Sequence, residues 1–132
     1  MKKIIKTGKA PAPIGPYNQA IAAGNLVFIS GQICIDPANG ELVNKDFSTE
    51  THQVMKNLSS ILQEAGMSFE NVVKTTIFLT DMKKFAEVNE AYGSYFKGNF
   101  PARETVEVAA LPKFVNVEIS MIASGEHYPD NI

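Results

Sequence analysis

Arg103 and Glu118 are the two residues of this chain whose types and setting could do chemistry. An arginine offers a planar fork of N–H donors that grips a carboxylate through two parallel charge-assisted bonds, and a glutamate can orient and deprotonate a water molecule. Both lie in Phe100 to Ala123, which reads FPARETVEVAALPKFVNVEISMIA. Thr105, Glu107 and Ala109 alternate with Val106, Val108 and Ala110, and Arg103 shares the parity of the polar set. After a Leu111-Pro112-Lys113 break, Val115, Val117, Ile119 and Met121 form an apolar face, while Asn116, Glu118 and Ser120 point the other way. The expectation is a final hairpin with both charges on its less apolar side. For two arbitrary charges a plain cross-strand ion pair is the commoner explanation, and the pattern leaves that reading open.

The elements that must position these residues follow from the rest of the chain. Lys2 to Thr7 reads as a first strand, and Gly8 to Pro16, with three of the seven prolines, as an irregular extended crossing that ends in Gly15-Pro16-Tyr17. Tyr17 to Ala23 and Leu26 to Ile33 read as strands joined by a tight Gly24-Asn25 turn. Gly31, inside the second of them, marks a bulge or a close backbone approach. Asp46 or Ser48 can cap a helix to about Ala65, with Val54, Leu58, Ile61 and Leu62 at helical spacing and Gly66 as its stop. His52, near its first turn, is assigned no role. Asn71 to Thr80 is rich in β-branched residues and reads as a buried strand. Thr80 or Asp81 then caps a second helix to about Phe96, whose apolar stripe is interrupted by Asn89.

These elements predict an α+β fold: a mixed sheet of six strands with two helices packed on one face, in one domain spanning residues 1–132. The other face would carry Tyr17, Glu107, Asn116, Glu118 and Ser120 among apolar residues. That mixture is too polar for a core and too apolar for plain solvent, so an oligomer interface is expected there. At 45% hydrophobic and 20% charged, with no apolar run of the roughly 18 residues a membrane span needs, a cytoplasmic protein is the expectation. The single Cys34 and the separated His52 and His127 show no metal-ligand spacing. A net charge of −2 argues against a nucleic-acid surface, which needs clustered Lys and Arg.

The Ala-Arg-x-x-Val-Glu-Val-x-x-Leu-Pro run followed by Val117-Glu118-Ile119, together with Gly15-Pro16-Tyr17 and Ser30-Gly31-Gln32, resembles the signature of the RidA (YjgF-type) family of enamine and imine deaminases. The resemblance runs from Ala12 to Ala123. It implies a chorismate-mutase-like fold, a homotrimer with sites in the subunit clefts, and hydrolysis of reactive imines from amino-acid metabolism to 2-keto acids and ammonia, without a cofactor. It implies Arg103 and Glu118 as catalytic residues, and Tyr17, Ser30, Gly31, Asn89, Arg103 and Thr105 as the substrate-binding set. Two alternatives stand beside it: a keto-acid-binding regulator without efficient turnover, motivated by Thr105 and the neighbouring Glu104, and a translation inhibitor or endoribonuclease, from activities attributed to some relatives. The chain departs from the family pattern in Glu104-Thr105 for a common Ser-Cys, Ala110 for an arginine, Ser120 for a second glutamate and Cys34 for a proline. Glu104 is expected to compete for the Arg103 guanidinium.

Overall fold

A computed structural model of the protein describes residues 2–125. Strands β1 (Lys2–Ile5), β2 (Ala20–Ala23) and β3 (Leu26–Gln32) form an antiparallel meander. Gly24, at φ +59°, makes the predicted two-residue turn, which demands a left-handed backbone that glycine adopts freely. Helix α1 (Phe47–Glu64) begins at Asp46, whose Oδ1 accepts the Thr49 N–H at 2.7 Å, and Gly66 ends it at φ +74°. Its apolar stripe buries Val54, Leu58, Ile61 and Leu62 completely. Strand β4 (Val72–Leu79) follows, then a 3-10 turn (Met82–Lys84) that runs into α2 (Phe85–Gly93), strand β5 (Ala102–Glu107), and β6 (Val117–Ser124).

The strand order is β1-β2-β3-β6-β4-β5. Strand β6 lies between β3 and β4 and is antiparallel to both, so β3 and β4 are parallel to one another. Strand β5 is parallel to β4, which makes β4-α2-β5 a crossover unit. The two helices cover one face. Ile29, Ile77, Leu79, Val117, Ile119 and Met121 reach up from the sheet to meet them in the core. Among the described residues no helix is long and apolar enough to cross a membrane.

Several boundaries differ from the sequence reading, and one difference separates Arg103 from Glu118. There is no final hairpin: β5 bonds β4 at the sheet edge, and the Val108 N–H continues that ladder to the Leu79 carbonyl. The chain then crosses the end of β4 to enter the slot that the alternating, buried face of β6 fits. The second helix stops at Gly93 rather than Phe96, and Tyr95 and Phe96 turn into an aromatic cluster with Phe69. Tyr17 lies in the loop ahead of β2, because the preceding prolines hold that backbone out of the ladder. The first strand ends at Ile5, since Gln19 claims the Thr7 main chain.

Truncating the middle of the α1 stripe measures how much of the fold rests on it. Leu58→Ala should lower unfolding free energy by roughly 2–5 kcal/mol in a denaturant titration, the range for a cavity at a closed core position.

Candidate functional site

Arg103 belongs to the helix side of the sheet. It pairs in register with Thr75, whose hydroxyl receives the Tyr92 O–H from α2 at 3.1 Å. The Arg103 guanidinium carbon lies 5.5 Å from the Phe85 ring centroid and 5.3 Å from that of Tyr92, and Nη1 donates to Asn89 Oδ1 at 2.8 Å. Two aromatic faces and one amide thus hold the fork at the free edge of the sheet. A cleft of about 360 Å³ opens there, lined by Asn89, Tyr92, Gly93, Phe100, Pro101 and Arg103.

Thr105, two residues on, has its Oγ1 buried and without a hydrogen-bond partner among the described residues. The hydroxyl is therefore turned into the protein. Because the Val108 N–H faces β4, alternation sends the main-chain groups of Arg103 and Thr105 to the free edge. What Thr105 can offer a ligand is its backbone N–H, not its side chain.

Glu118 sits on the opposite face. It pairs with Phe78, one of the residues alternating with Thr75, Ile77 and Leu79, and its side chain lies against Gly31. Burial pushes its carboxyl up from the usual glutamate range, and among the described residues no hydrogen bond to it offsets that cost. The predicted bulge is present between Ile29 and Gln32. A Cβ on Gly31 would come within 2.5 Å of Glu118 Oε2, so the residue must be glycine for the carboxylate to lie where it does.

Ser30 lies beside Gly31, with its Oγ donating to the Asn18 carbonyl at 2.6 Å. Tyr17 is partly exposed, and its hydroxyl accepts the Ile14 N–H at 3.2 Å. A small depression joins Tyr17 and Gly31 to Pro11, Ala12 and Ile14.

The proposed residues therefore form two groups: Asn89, Arg103 and the Thr105 edge on one side, and Tyr17, Ser30, Gly31 and Glu118 on the other. A structural clasp between Arg103 and Glu118 is excluded within this chain, since they stand on opposite faces of the sheet. Glu104 does not compete for Arg103 either. It points to the open face, accepting the Thr76 hydroxyl at 2.6 Å and pairing with Lys74 at 3.1 Å, and the Thr76 bond foremost holds its carboxyl below the usual range. Glu107 and Asn116 also leave the expected open face. Glu107 accepts the Met82 N–H at 2.7 Å in the 3-10 turn ahead of α2, and Asn116 is drawn to Glu50.

Among the buried polar residues that the sequence reading did not single out, two tie down the surroundings of the site. Gln19 donates to the carbonyls of Thr7, Ala10 and Pro11 and accepts the Thr7 N–H, which ties down the crossing that leads to Tyr17. Glu50 is fully buried and binds the entry to β6. Their polarity at otherwise apolar positions was the available signal.

Residues 7–124 match the family model described as Endoribonuclease L-PSP. The chain belongs to this family. Among its relatives, the Homo sapiens 2-iminobutanoate/2-iminopropanoate deaminase is 49% identical over 123 residues, covering 93% of this chain and 90% of that protein. A RutC family protein of Pyrococcus horikoshii is 52% identical over 126 residues, 96% and 100% of the two chains. The solved structure of RidA from a Psychrobacter species superposes with a TM-score of 0.89 at 43% identity, covering 92% of this chain and 98% of that one. The E. coli TdcF structure with bound serine gives 0.89 at 41%, with the same coverage. The Rid-type resemblance read from the motifs is thus borne out, as are the two helices and the six-stranded mixed sheet.

Gly31→Ala tests the close approach. The new methyl should displace the Glu118 carboxylate while the sheet persists, giving a small change in melting temperature and, in a crystal structure of the variant, a shifted Glu118 rotamer. An unmoved carboxylate would contradict the contact.

Proposed function

We propose that this protein hydrolyses 2-imino acids and their enamine tautomers to 2-keto acids and ammonia, as a homotrimer with sites in the clefts between subunits. The observation that carries the reading is the division of the charged residues. Arg103 and Glu118 lie on opposite faces of one sheet, so a small ligand that uses both must take them from two copies. The open face supports such an assembly. Phe28, Val106 and Ile4 are exposed on it among polar groups, a surface suited to burial against another copy. The human, mouse and rat relatives named as imine deaminases support the chemistry.

In this reading the Arg103 fork, held by Asn89 and the two rings, takes the substrate carboxylate, and the Thr105 backbone N–H assists at the free edge. Glu118 of a second copy removes a proton from water as its oxygen bonds to the C=N carbon, and the π electrons move to nitrogen. The carbinolamine formed in this way from the protonated imine then receives that proton on nitrogen from Glu118, its C–N bond breaks to expel ammonia, and the hydroxyl proton is taken up by Glu118 as C=O forms and is passed on to the departing ammonia. Tyr17, Ser30 and Gly31 shape the wall beside Glu118. Nothing in these steps requires an electron acceptor or an added group, because positioning and proton transfer supply the catalysis.

A second reading, ligand binding without efficient turnover, draws on the TdcF structure, in which serine is bound. Imine generated in situ by an amino-acid oxidase, with keto-acid release followed, separates the two. Saturable keto-acid binding with no acceleration of hydrolysis would select the second. The nuclease named in the family description is disfavoured by the net charge of −2, since gripping a phosphate backbone calls for clustered cations.

Two variants divide the roles. Arg103→Lys should assemble normally and bind pyruvate poorly, one ammonium replacing a bidentate fork. Glu118→Gln should keep pyruvate binding and lose roughly 10²–10⁴-fold in kcat. The pH dependence follows from burial of Glu118. The base must be ionised, it ionises only above its pKa, and burial raises that pKa above the usual 4.5, so kcat/KM should fall on acidification through a midpoint higher than 4.5. A profile flat down to pH values below 4.5 would contradict this assignment.

A further inference from the structure

Glu50, in the first turn of α1, is fully buried yet takes no part in the steps above. Its Oε2 accepts the N–H groups of Asn116 and Val117, each at 2.7 Å, and its Oε1 accepts Asn116 Nδ2 at 3.0 Å. Asn116 in turn receives the Thr80 N–H on its carbonyl at 3.1 Å and the Thr80 hydroxyl on Oδ1 at 3.2 Å. One carboxylate therefore joins the start of α1, the end of β4 and the residue that immediately precedes Glu118.

The backbone just before this point has reason to need holding. Lys113 and Phe114 both adopt left-handed conformations, at φ +55° and +56°, which cost any residue with a Cβ, and Phe114 is 86% exposed and so anchored by little packing. Beyond the node, the Glu118 carboxylate receives no hydrogen bond from the described residues. Its place against Gly31 is thus set by where the β6 backbone enters the sheet.

We propose that Glu50 is a positioning residue for Glu118: by fixing the Asn116 and Val117 N–H groups it sets the entry register of β6 and with it the reach of the Glu118 carboxylate. The inference rests on the reading of Glu118 as general base. Glu50 works from the helix face through the backbone, and the Glu118 side chain emerges on the other. Loss of the three bonds would tilt the entry turn, and a misplacement of about 1 Å at a reacting group can cost on the order of 10²-fold in rate. Binding of the carboxylate by Arg103, on the edge strand β5, would be spared.

The test uses the full chain in four variants, Glu50→Leu, Glu50→Gln, Asn116→Ala and Glu118→Gln, with kcat for imine hydrolysis, the pyruvate inhibition constant and melting temperature measured on each. Glu50→Leu should lower kcat by roughly ten- to a hundredfold with pyruvate affinity unchanged. Glu50→Gln should recover most of that loss, because its carbonyl oxygen still accepts both main-chain N–H groups. Asn116→Ala, which keeps those N–H groups but loses the side-chain bonds to Glu50 and Thr80, should show a smaller fall in kcat. Unchanged kcat in folded Glu50→Leu, whatever its melting temperature, overturns the proposal and leaves Glu50 a strut. If Glu50→Leu does not fold, unchanged kcat in Asn116→Ala overturns it equally. Wild-type turnover in Glu118→Gln sinks the underlying assignment of the base instead, and is told apart by that variant alone.

Discussion

Successive side chains of a β-strand leave on opposite faces, and the arrangement of this molecule hangs on how that rule combines with strand order. Residues paired in register share a face, so Thr75 brings Arg103 to the helix side and Phe78 brings Glu118 to the open side. Strand β4 stands between the two charged strands and hands one residue to each face. Had β5 and β6 paired directly, as their adjacency in sequence suggests, the two charges could have been neighbours and an ion pair would have sufficed to explain them. Inserting β6 between β3 and β4 puts the two charges on different surfaces, so the proposed chemistry would have to draw them from two copies.

The same rule explains why neighbours in sequence were misleading about electrostatics. Glu104 follows Arg103 directly, yet the two side chains diverge by the full thickness of the sheet. Glu104 is engaged by Thr76 and Lys74 on the open face, whereas Arg103 is engaged by Asn89, Phe85 and Tyr92 beneath α2. Glu104 thus belongs to the open face and Thr105 to the helix-facing side. Glu104 therefore makes no claim on the guanidinium, whose Nη1 donates to Asn89.

Local chemistry was legible in the sequence where the constraint is local. The Gly24-Asn25 turn, the Asp46 cap, the Gly66 stop and the bulge at Gly31 all follow from residues acting within a few positions of themselves. Periodicity likewise gave the α1 stripe and the alternation of β6. Pairing partners were not legible, because β6 satisfies the same alternation wherever it is inserted and only the three-dimensional slot decides. The Gln19 and Glu50 nodes were missed for a related reason. Glu50 meets Val117 across 67 positions of chain, and nothing beside either residue announces the meeting.

Two half- or fully buried carboxylates, Glu50 and Glu118, lie on the two sides of β6 and show how similar desolvation serves different ends. In both, burial raises the carboxyl above its usual range. Around Glu50 that cost is offset by three donors, two of them main-chain N–H groups at 2.7 Å, so the oxygens are committed and the group acts as a tie. Around Glu118 burial acts alone, with a glycine where any side chain would intrude. A carboxylate with uncommitted oxygens, lifted toward neutrality and facing a surface, is suited to take a proton from water and return it. The number of donors each one has therefore separates the strut from the candidate base, a distinction that composition and strand parity could not make.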